Sequence, residues 1–291
     1  MRRCRGSDLI GPPAIWRLIE DPPLDGYRNM AVDEALLESC ASRAAGFPCL
    51  RLYSFHPACL SLGFSQPAEG AVDPSWCRSH GIDIARRPTG GRAVLHDAEV
   101  TYAVVGRYGE PPFPATVLDS YCVISRGLIA GFASLGLRAA VTAGEKPAGP
   151  GAGGAVCFAE PTRHEIASGE FKIAGSAQAR RRGAFLQHGS IPIVVNMENL
   201  ARATGSVGGE AAPPGAAPGT VGCAGLPEIR GVAQILGRDL SESGLRAALV
   251  DGFEKEFGVR LVPGALAGTE RESAERLRAD RYLSAAWTYR R

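Results

Sequence analysis

The sequence predicts an α+β fold, with a mixed, largely antiparallel sheet flanked by helices and a small C-terminal helical tail. Two long segments repeat apolar residues at helical spacing, whereas several short segments alternate apolar and polar residues between glycines or prolines. No internal repeat is visible, which excludes solenoids and propellers. Helices interspersed with hairpin-like strands therefore favour one α+β domain.

The helices are predicted from apolar stripes and from residues typical of helix ends. Asn29 is the candidate N-cap of a helix that runs to Cys40, and a longer helix begins near Val117 and stops at Gly136. Asp33 and Glu34 would lie near the positive end of the first helix dipole. Two more helices are predicted at residues 245–257 and 273–283.

Strands are predicted where short apolar segments are bounded by turn residues. They are expected at residues 49–55, 82–87, 100–105, 163–166, 171–174 and 184–191.

The domain organisation follows from where these elements occur. We expect an N-terminal extension at residues 1–28, a main domain at 29–260 and a helical tail at 261–291. Two segments rich in Gly, Ala and Pro, at residues 143–155 and 204–225, have too few large apolar groups to form a core. We expect the second of them to be a mobile insertion.

Composition excludes several classes of protein. Hydrophobic residues make up 45% and charged residues 21%, close to the averages of soluble globular proteins. The 32 basic and 30 acidic residues nearly cancel, so nothing indicates binding to nucleic acid or to a membrane. The eight cysteines include no Cys-x-x-Cys pair, which argues against disulfides and a metal site. We expect a reduced, cytoplasmic, monomeric protein.

Lysine is rare in this chain. Only Lys146, Lys172 and Lys255 are lysines among the 32 basic residues. Because arginine presents a planar fork that keeps its proton, it cannot replace a compact ammonium group at a site that requires one. Each lysine is therefore a candidate for a special role.

Residues 86–97 form the first segment that packing alone does not explain. Gly90 and Gly91 would let the backbone approach a ligand closely, and Arg87, Arg92 and His96 could donate to its oxygen atoms. A tight turn between strands is the alternative. The segment matches neither a Walker loop nor a G-x-G-x-x-G fingerprint.

Three further positions are candidates for chemistry. Lys172 precedes a run of small residues that could form a groove for an acyl chain, although an exposed strand lysine is the alternative. His188 lies where a buried strand should continue with apolar residues, and a core histidine with satisfied hydrogen bonds is equally possible. Cys157 follows a glycine-rich loop and is a candidate nucleophile for acyl transfer.

Together these segments resemble the biotin and lipoate protein ligase superfamily. Residues 86–97, 172–178 and 187–190 occur in the order and near the spacing of that superfamily, with supporting matches at residues 29–35, 51–55 and 61–66. The resemblance implies the ligase catalytic fold. Arg92 in place of a third glycine, the pair Cys157 and Phe158, and the segments around Ser176 and Ser190 are similar to the cysteine-dependent octanoyltransferase branch.

The resemblance implies a role for each matching residue. Cys157 would hold octanoate as a thioester, and Lys172 would lower the pKa of that thiol and help to orient the acyl carbonyl. The acyl group would be bound by Arg87, Gly90, Gly91, Arg92, His96, Gly175, Ser176, Ala177, Gln178, His188, Gly189 and Ser190.

The same resemblance implies the partners. The donor would be octanoyl-acyl carrier protein, and the acceptor a lysine of a lipoyl domain such as the glycine-cleavage H protein. No cofactor is needed for this exchange. Three alternatives remain: an ATP- and Mg-dependent lipoate ligase, an amidotransferase between lipoyl domains, and a module that binds without catalysis.

Overall fold

The computed structural model describes residues 13–44, 46–142, 165–205 and 229–290. Their strands are β1 (Ala14–Glu20), β2 (Cys49–Tyr53), β3 (Cys59–Leu62), β4 (Asp83–Arg86), β5 (Val94–His96), β6 (Glu99–Arg107), β7 (Ala140–Val141), β8 (Ile166–Ser168), β9 (Phe171–Arg181), β10 (Ala184–Pro192) and β11 (Val259–Pro263). Their helices are α1 (Gly26–Ala41), α2 (Pro74–Ser79), α3 (Val117–Ser134), α4 (Met197–Ala203), α5 (Val232–Leu236), α6 (Glu242–Phe257), α7 (Gly268–Leu277) and α8 (Ala285–Thr288), with a π-helical turn at Arg278–Tyr282.

The strands form a large mixed sheet and a small one. The eight-stranded sheet has the order β11-β1-β2-β6-β10-β9-β8-β7, and the three-stranded sheet has the order β4-β3-β5. β1 pairs in parallel with β11 and β2, whereas β2, β6, β10 and β9 pair antiparallel in succession. The predicted α+β class with a mixed, largely antiparallel sheet is therefore confirmed.

Helices cover both faces of the large sheet. On β2, Leu50 and Leu52 pack into one core with α3 and α6, whereas Cys49 and Tyr53 pack into a second core with α1 and α7. Successive side chains of a strand point to opposite faces, so one strand contributes to both cores. No helix within the described ranges is long and apolar enough to cross a membrane.

The first helix begins earlier than predicted. Asp25, not Asn29, is its N-cap, and the Asp25 carboxylate accepts a hydrogen bond from the Arg28 amide at 2.8 Å. Asn29 is fully buried, and its side-chain amide donates to the carbonyls of Leu24 and Ser54. The N-cap prediction was wrong because Asn29 anchors the helix to the end of β2.

The predicted domain boundaries fall inside secondary-structure elements. The boundary after residue 28 lies in α1, and the boundary after residue 260 lies in β11. The expected N-terminal extension contributes β1, which lies between β11 and β2. Residues 143–155 and 206–225, which include almost all of the predicted mobile insertion, lie outside the described residues.

Glycines allow α3 and α6 to cross in close contact. A Cβ on Gly252 would lie 2.2 Å from the Gly131 amide nitrogen and 2.5 Å from the Gly127 carbonyl oxygen. We expect Gly252→Val to lower the free energy of unfolding by about 3 kcal/mol or more, because the two helices would have to separate. Urea denaturation checks this. Gly268→Ala is the control, since a Cβ there meets nothing within 4 Å, and equal losses in both variants would contradict the prediction.

Candidate active site

A cavity lies between the three-stranded sheet, α1 and the middle of β9 and β10. Its empty volume is about 410 Å³, which includes space open to solvent. Its lining residues are Met30, Tyr53, Ser61, Arg87, Val94, His96, Thr101, Gly175, Ser176, Ala177, His188, Gly189 and Ser190.

Most of the residues predicted to bind an acyl group meet at this cavity. Those that line it are Arg87, His96, Gly175, Ser176, Ala177, His188, Gly189 and Ser190. Gly90, Gly91, Arg92 and Gln178 are not among its lining residues, and neither is Lys172. Cys157 lies outside the described residues, so its position relative to the cavity remains a prediction.

A buried chain of hydrogen bonds connects α1 to the glycine segment. His188 Nδ1 donates to Asp33 at 2.7 Å, and Thr89 Oγ1 lies 2.7 Å from His188 Nε2. Burial lowers the pKa of His188 and outweighs the opposing effect of Asp33, so the ring is neutral. With its proton on Nδ1, the ring accepts from the Thr89 hydroxyl and fixes the start of the Gly90–Gly91 turn.

Asp33 stays ionised inside the core. Burial by itself would raise its pKa, but the Arg51 guanidinium at 2.7 Å, the hydrogen bond from His188 and the Tyr53 hydroxyl at 2.7 Å together lower it. Arg51 also donates to Asp21 at 2.7 Å. The base of the cavity is therefore a paired and fully bonded charge network.

His96 belongs to a second network. Its Nδ1 lies 2.8 Å from the Glu99 carboxylate, and its Nε2 lies 2.8 Å from the Ser61 hydroxyl. Thr101 and Ser190 also donate to the Glu99 carboxylate. One buried carboxylate therefore orients three side chains that line the cavity.

Arg87 shapes the glycine segment. Its guanidinium donates to the carbonyls of Gly90 at 2.8 Å and Arg92 at 2.7 Å, and to the Ser61 carbonyl at 2.9 Å. The backbone of residues 90–92 is therefore held around the Arg87 guanidinium. Gly91 has a φ of 94°, a conformation that favours glycine. It also packs closely on Gly63, since a Cβ on Gly63 would lie 1.8 Å from the Gly91 carbonyl oxygen.

Gln178 does not line the cavity, contrary to the prediction. Its amide donates to Gln187 at 3.0 Å and its carbonyl oxygen accepts from Arg180 at 2.8 Å. The same amide also donates to the Ser120 hydroxyl of α3 at 3.3 Å.

Glycine forms one wall of the cavity. A Cβ on Gly189 would lie 2.6 Å from both the Gly175 carbonyl oxygen and the Ser176 hydroxyl. No side chain fits between β9 and β10 at this position. The Ser176 hydroxyl in turn accepts from Tyr102 at 2.7 Å, which holds it against the strand.

Lys172 is buried, so the alternative of an exposed strand lysine is excluded. The residue is 2% exposed, and its ammonium group is paired with the Glu165 carboxylate. Lys255, by contrast, has a side chain that is 66% exposed and pairs with Asp251 on the surface of α6. Lys172 lies on β9, three residues before Gly175 of the cavity.

Four cysteines are buried in the hydrophobic cores of the protein. Cys40, Cys49, Cys59 and Cys77 are buried, and burial raises the pKa of Cys49 to about 12 and those of Cys40 and Cys77 to about 11. A thiol with such a pKa stays protonated at neutral pH and is a poor nucleophile. No group of described His, Cys, Asp and Glu side chains could hold a metal ion.

Sequence reasoning missed the charged core beneath the cavity. Asp33 and Glu34 do not face solvent at a helix end; both are buried, and Glu34 binds Arg281 at 2.5 Å and Tyr282 at 2.6 Å. A signal existed in β2, where Arg51 interrupts an otherwise apolar buried strand. A buried charge needs a partner, and the acidic residues of the first helix are the obvious candidates.

Removing the Asp33 charge should destabilise the fold. We expect Asp33→Asn to lower the free energy of unfolding by about 3 to 5 kcal/mol at pH 7, because Arg51 is left with one of its two carboxylates. The Asp33 pKa is lowered by folding, so its contribution is full above the unfolded value of about 3.9 and is lost as the pH falls through the folded value. The difference in the free energy of unfolding between Asp33→Asn and wild type should therefore decrease below about pH 4.

Chemical denaturation from pH 3 to 7 measures this difference. Asp280→Asn, which removes an exposed carboxylate, is the control and should change little. A constant difference over the whole pH range would show that the Asp33 carboxylate is not the stabilising group.

The fold and cavity define an α+β small-molecule enzyme domain, and comparison with known proteins assigns its family. Residues 25–253 match the model of the family described as "Lipoyl protein ligase A/B catalytic domain". Because this match covers most of the chain, the chain belongs to the lipoyl protein ligase A/B catalytic domain family.

Relatives of nearly equal length agree with this assignment. The chain is 38% identical over 281 residues to octanoyltransferase LipM of Kyrpidia tusciae, covering 95% of this chain and 99% of the relative. It is 34% identical over 275 residues to octanoyltransferase LipM of Carboxydothermus hydrogenoformans, covering 94% and 98%.

A solved structure shares the fold. The bipartite lipoate protein ligase of Thermoplasma acidophilum aligns with a TM-score of 0.74 and 23% identity, covering 95% of this chain and 96% of that structure. At this identity the likeness supports the fold alone.

Proposed function

We propose that this enzyme transfers octanoyl groups from octanoyl-acyl carrier protein to a lipoyl-domain lysine, through a thioester on Cys157. The similarity to octanoyltransferases over nearly the full chain supports an acyltransferase of protein lipoylation. The acceptor that we propose is the glycine-cleavage H protein, and we propose that the enzyme acts as a cytoplasmic monomer.

The cavity lining is the observation that carries the proposal. Every polar side chain on it already has a hydrogen-bond partner within the protein. A polar ligand would therefore find few unused donors, whereas Met30, Val94, Ala177 and the glycine wall offer apolar contact. An unbranched acyl chain fits this chemistry best.

The proposed reaction has two balanced steps. The Cys157 thiolate attacks the thioester carbonyl of the donor, so that a new C–S bond forms and the carrier thiolate leaves and takes up a proton. The acceptor amine then attacks the enzyme thioester. A C–N bond forms, the bond to Cys157 breaks, and the amine proton passes to the departing thiolate.

Lys172 is proposed to support both steps electrostatically. Its ammonium group is held in a buried ion pair with Glu165, so its position is fixed before substrate binds. A fixed positive charge near the sulfur would favour the thiolate and would stabilise the oxyanion that forms at the acyl carbon.

We propose that no ATP or metal takes part. The energy that drives amide formation is already present in the donor thioester. Arg87, the cation at the cavity, is engaged with the carbonyls of Gly90 and Arg92 and is poorly placed to bind a triphosphate.

Intact-mass spectrometry tests the proposal. Incubation with octanoyl-acyl carrier protein should add one octanoyl group, which hydroxylamine removes. Incubation with free lipoate and ATP should leave the mass unchanged. An acyl-adenylate formed only in the second mixture would instead establish the ligase, and a donor limited to acylated lipoyl domains would establish the amidotransferase.

A further inference from the structure

A second cavity adjoins the first, and its chemistry is different. It has an empty volume of about 410 Å³ and lies beyond the ends of β5 and β10. Its walls include Leu95, Val194 and Ile229, together with the polar residues Asp97, Glu99 and Asn196. Among its described lining residues there are two carboxylates and no Arg, Lys or His.

The two cavities differ in the ionisable residues that line them. The first has Arg87, His96 and His188 on its lining and no acidic residue, whereas the second has two acids and no basic residue. A long apolar stem ending in a cation fits the second cavity, because its walls are apolar and its charged groups are carboxylates. A lysine side chain has this form.

Glu99 connects residues of the two cavities through hydrogen bonds. Glu99 lines the second cavity, and its carboxylate accepts from His96, Thr101 and Ser190, all of which line the first. The lining residues of the two cavities therefore meet at one buried carboxylate.

The second cavity also adjoins the lysine assigned to catalysis. Ile229 of its wall forms a bridge with Lys172, and the Arg230 amide donates to the Lys172 carbonyl at 3.2 Å. A ligand in this cavity is thus adjacent both to the acyl site and to the backbone that carries Lys172.

We propose that the second cavity binds the side chain of the acceptor lysine, with Asp97 and Glu99 attracting its ammonium group. This inference rests on the proposed function, since it assigns the second substrate of the same transfer. Asp97 is exposed to solvent, so the proton that the amine must lose before attack can pass to water.

Two variants test the site without altering the acyl cavity. Asp97→Asn removes one of the two carboxylate charges at almost unchanged volume. Val194→Trp narrows the cavity from a side chain that is already 47% exposed, so that folding is little affected. Asp239→Asn is the matched control, since Asp239 is exposed and lines neither cavity.

The decisive measurement separates the two half-reactions. Each protein is converted to its octanoyl-enzyme and then mixed with the H protein or with hydroxylamine, a small uncharged nucleophile. In Asp97→Asn we expect normal acylation, normal discharge by hydroxylamine and discharge by the H protein slowed about tenfold. Val194→Trp should behave similarly. If the H protein discharges both variants at the wild-type rate, the proposed lysine site is wrong.

Failure of the proposed function gives a different result. If wild type forms no octanoyl-enzyme, the transferase proposal fails, and the lysine site is then judged by the affinity of the unmodified H protein. Calorimetry should show binding to wild type that Asp97→Asn weakens about tenfold. If wild type and Asp97→Asn bind the unmodified H protein with equal affinity, the proposed lysine site is wrong.

Discussion

Replacing Cys157 by alanine is expected to abolish the octanoyl adduct and to reduce transfer by a factor of about 1,000 or more. The physical reason is that the variant lacks the proposed nucleophile, and the four buried cysteines are poor replacements for it. Cys40, Cys49, Cys59 and Cys77 have buried thiols with pKa values raised by burial, so they stay protonated at neutral pH. Intact mass after incubation with octanoyl-acyl carrier protein measures the adduct.

The controls for this variant are the other cysteines that burial does not exclude. Cys122→Ala changes a half-buried thiol on α3, and Cys4→Ala and Cys223→Ala change thiols outside the described residues. All three should acylate at the wild-type rate. Undiminished transfer by Cys157→Ala, or loss of the adduct in one of the controls, would show that the nucleophile is elsewhere.

Much of the fold could be predicted from local patterns. The helix after Val117 and the strand from Ala184 stand out because their apolar residues have helical or strand spacing. β3 and β5, which have four and three residues, were not predicted. β9 was predicted four residues long and has eleven, since its small and polar residues resemble a loop.

The candidate site was predicted less completely, and for a physical reason. Glycine turns and isolated histidines are visible in a sequence, so His96, His188 and Gly189 could be placed at a ligand site. The partners that orient them could not. Asp33 is 155 residues from His188, and only the packing of α1 against β10 brings their side chains within 2.7 Å. The spacing of residues along the sequence does not reveal such a long-range contact.

The lysine shortage was also informative. It singled out three residues, and the structure separates them: Lys255 is an ordinary surface residue of α6, whereas Lys172 is buried in an ion pair. Lys146 lies outside the described residues. A compositional bias thus pointed to a position that packing alone would not favour, because burying a charge is costly.

Lys172→Arg is expected to reduce transfer by about 100-fold at neutral pH while preserving the fold. Arginine keeps the positive charge and can still pair with Glu165, but its planar fork is larger and places the charge differently. The compact ammonium group that we propose acts on the sulfur and on the acyl oxygen is then lost. Single-turnover acylation, followed by mass, measures the effect.

A structural role must be separated from a catalytic one. Lys172→Met would leave Glu165 buried without its ion-pair partner and should destabilise the protein by about 3 to 5 kcal/mol, so activity loss in that variant is ambiguous. The double variant Lys172→Met with Glu165→Met removes both charges and should recover most of that stability. If Lys172 acts on the sulfur, the double variant folds but stays inactive. The pH dependence of Cys157 alkylation should then give an apparent thiol pKa above that of wild type. A stable double variant with wild-type turnover would show that the ion pair only supports the fold.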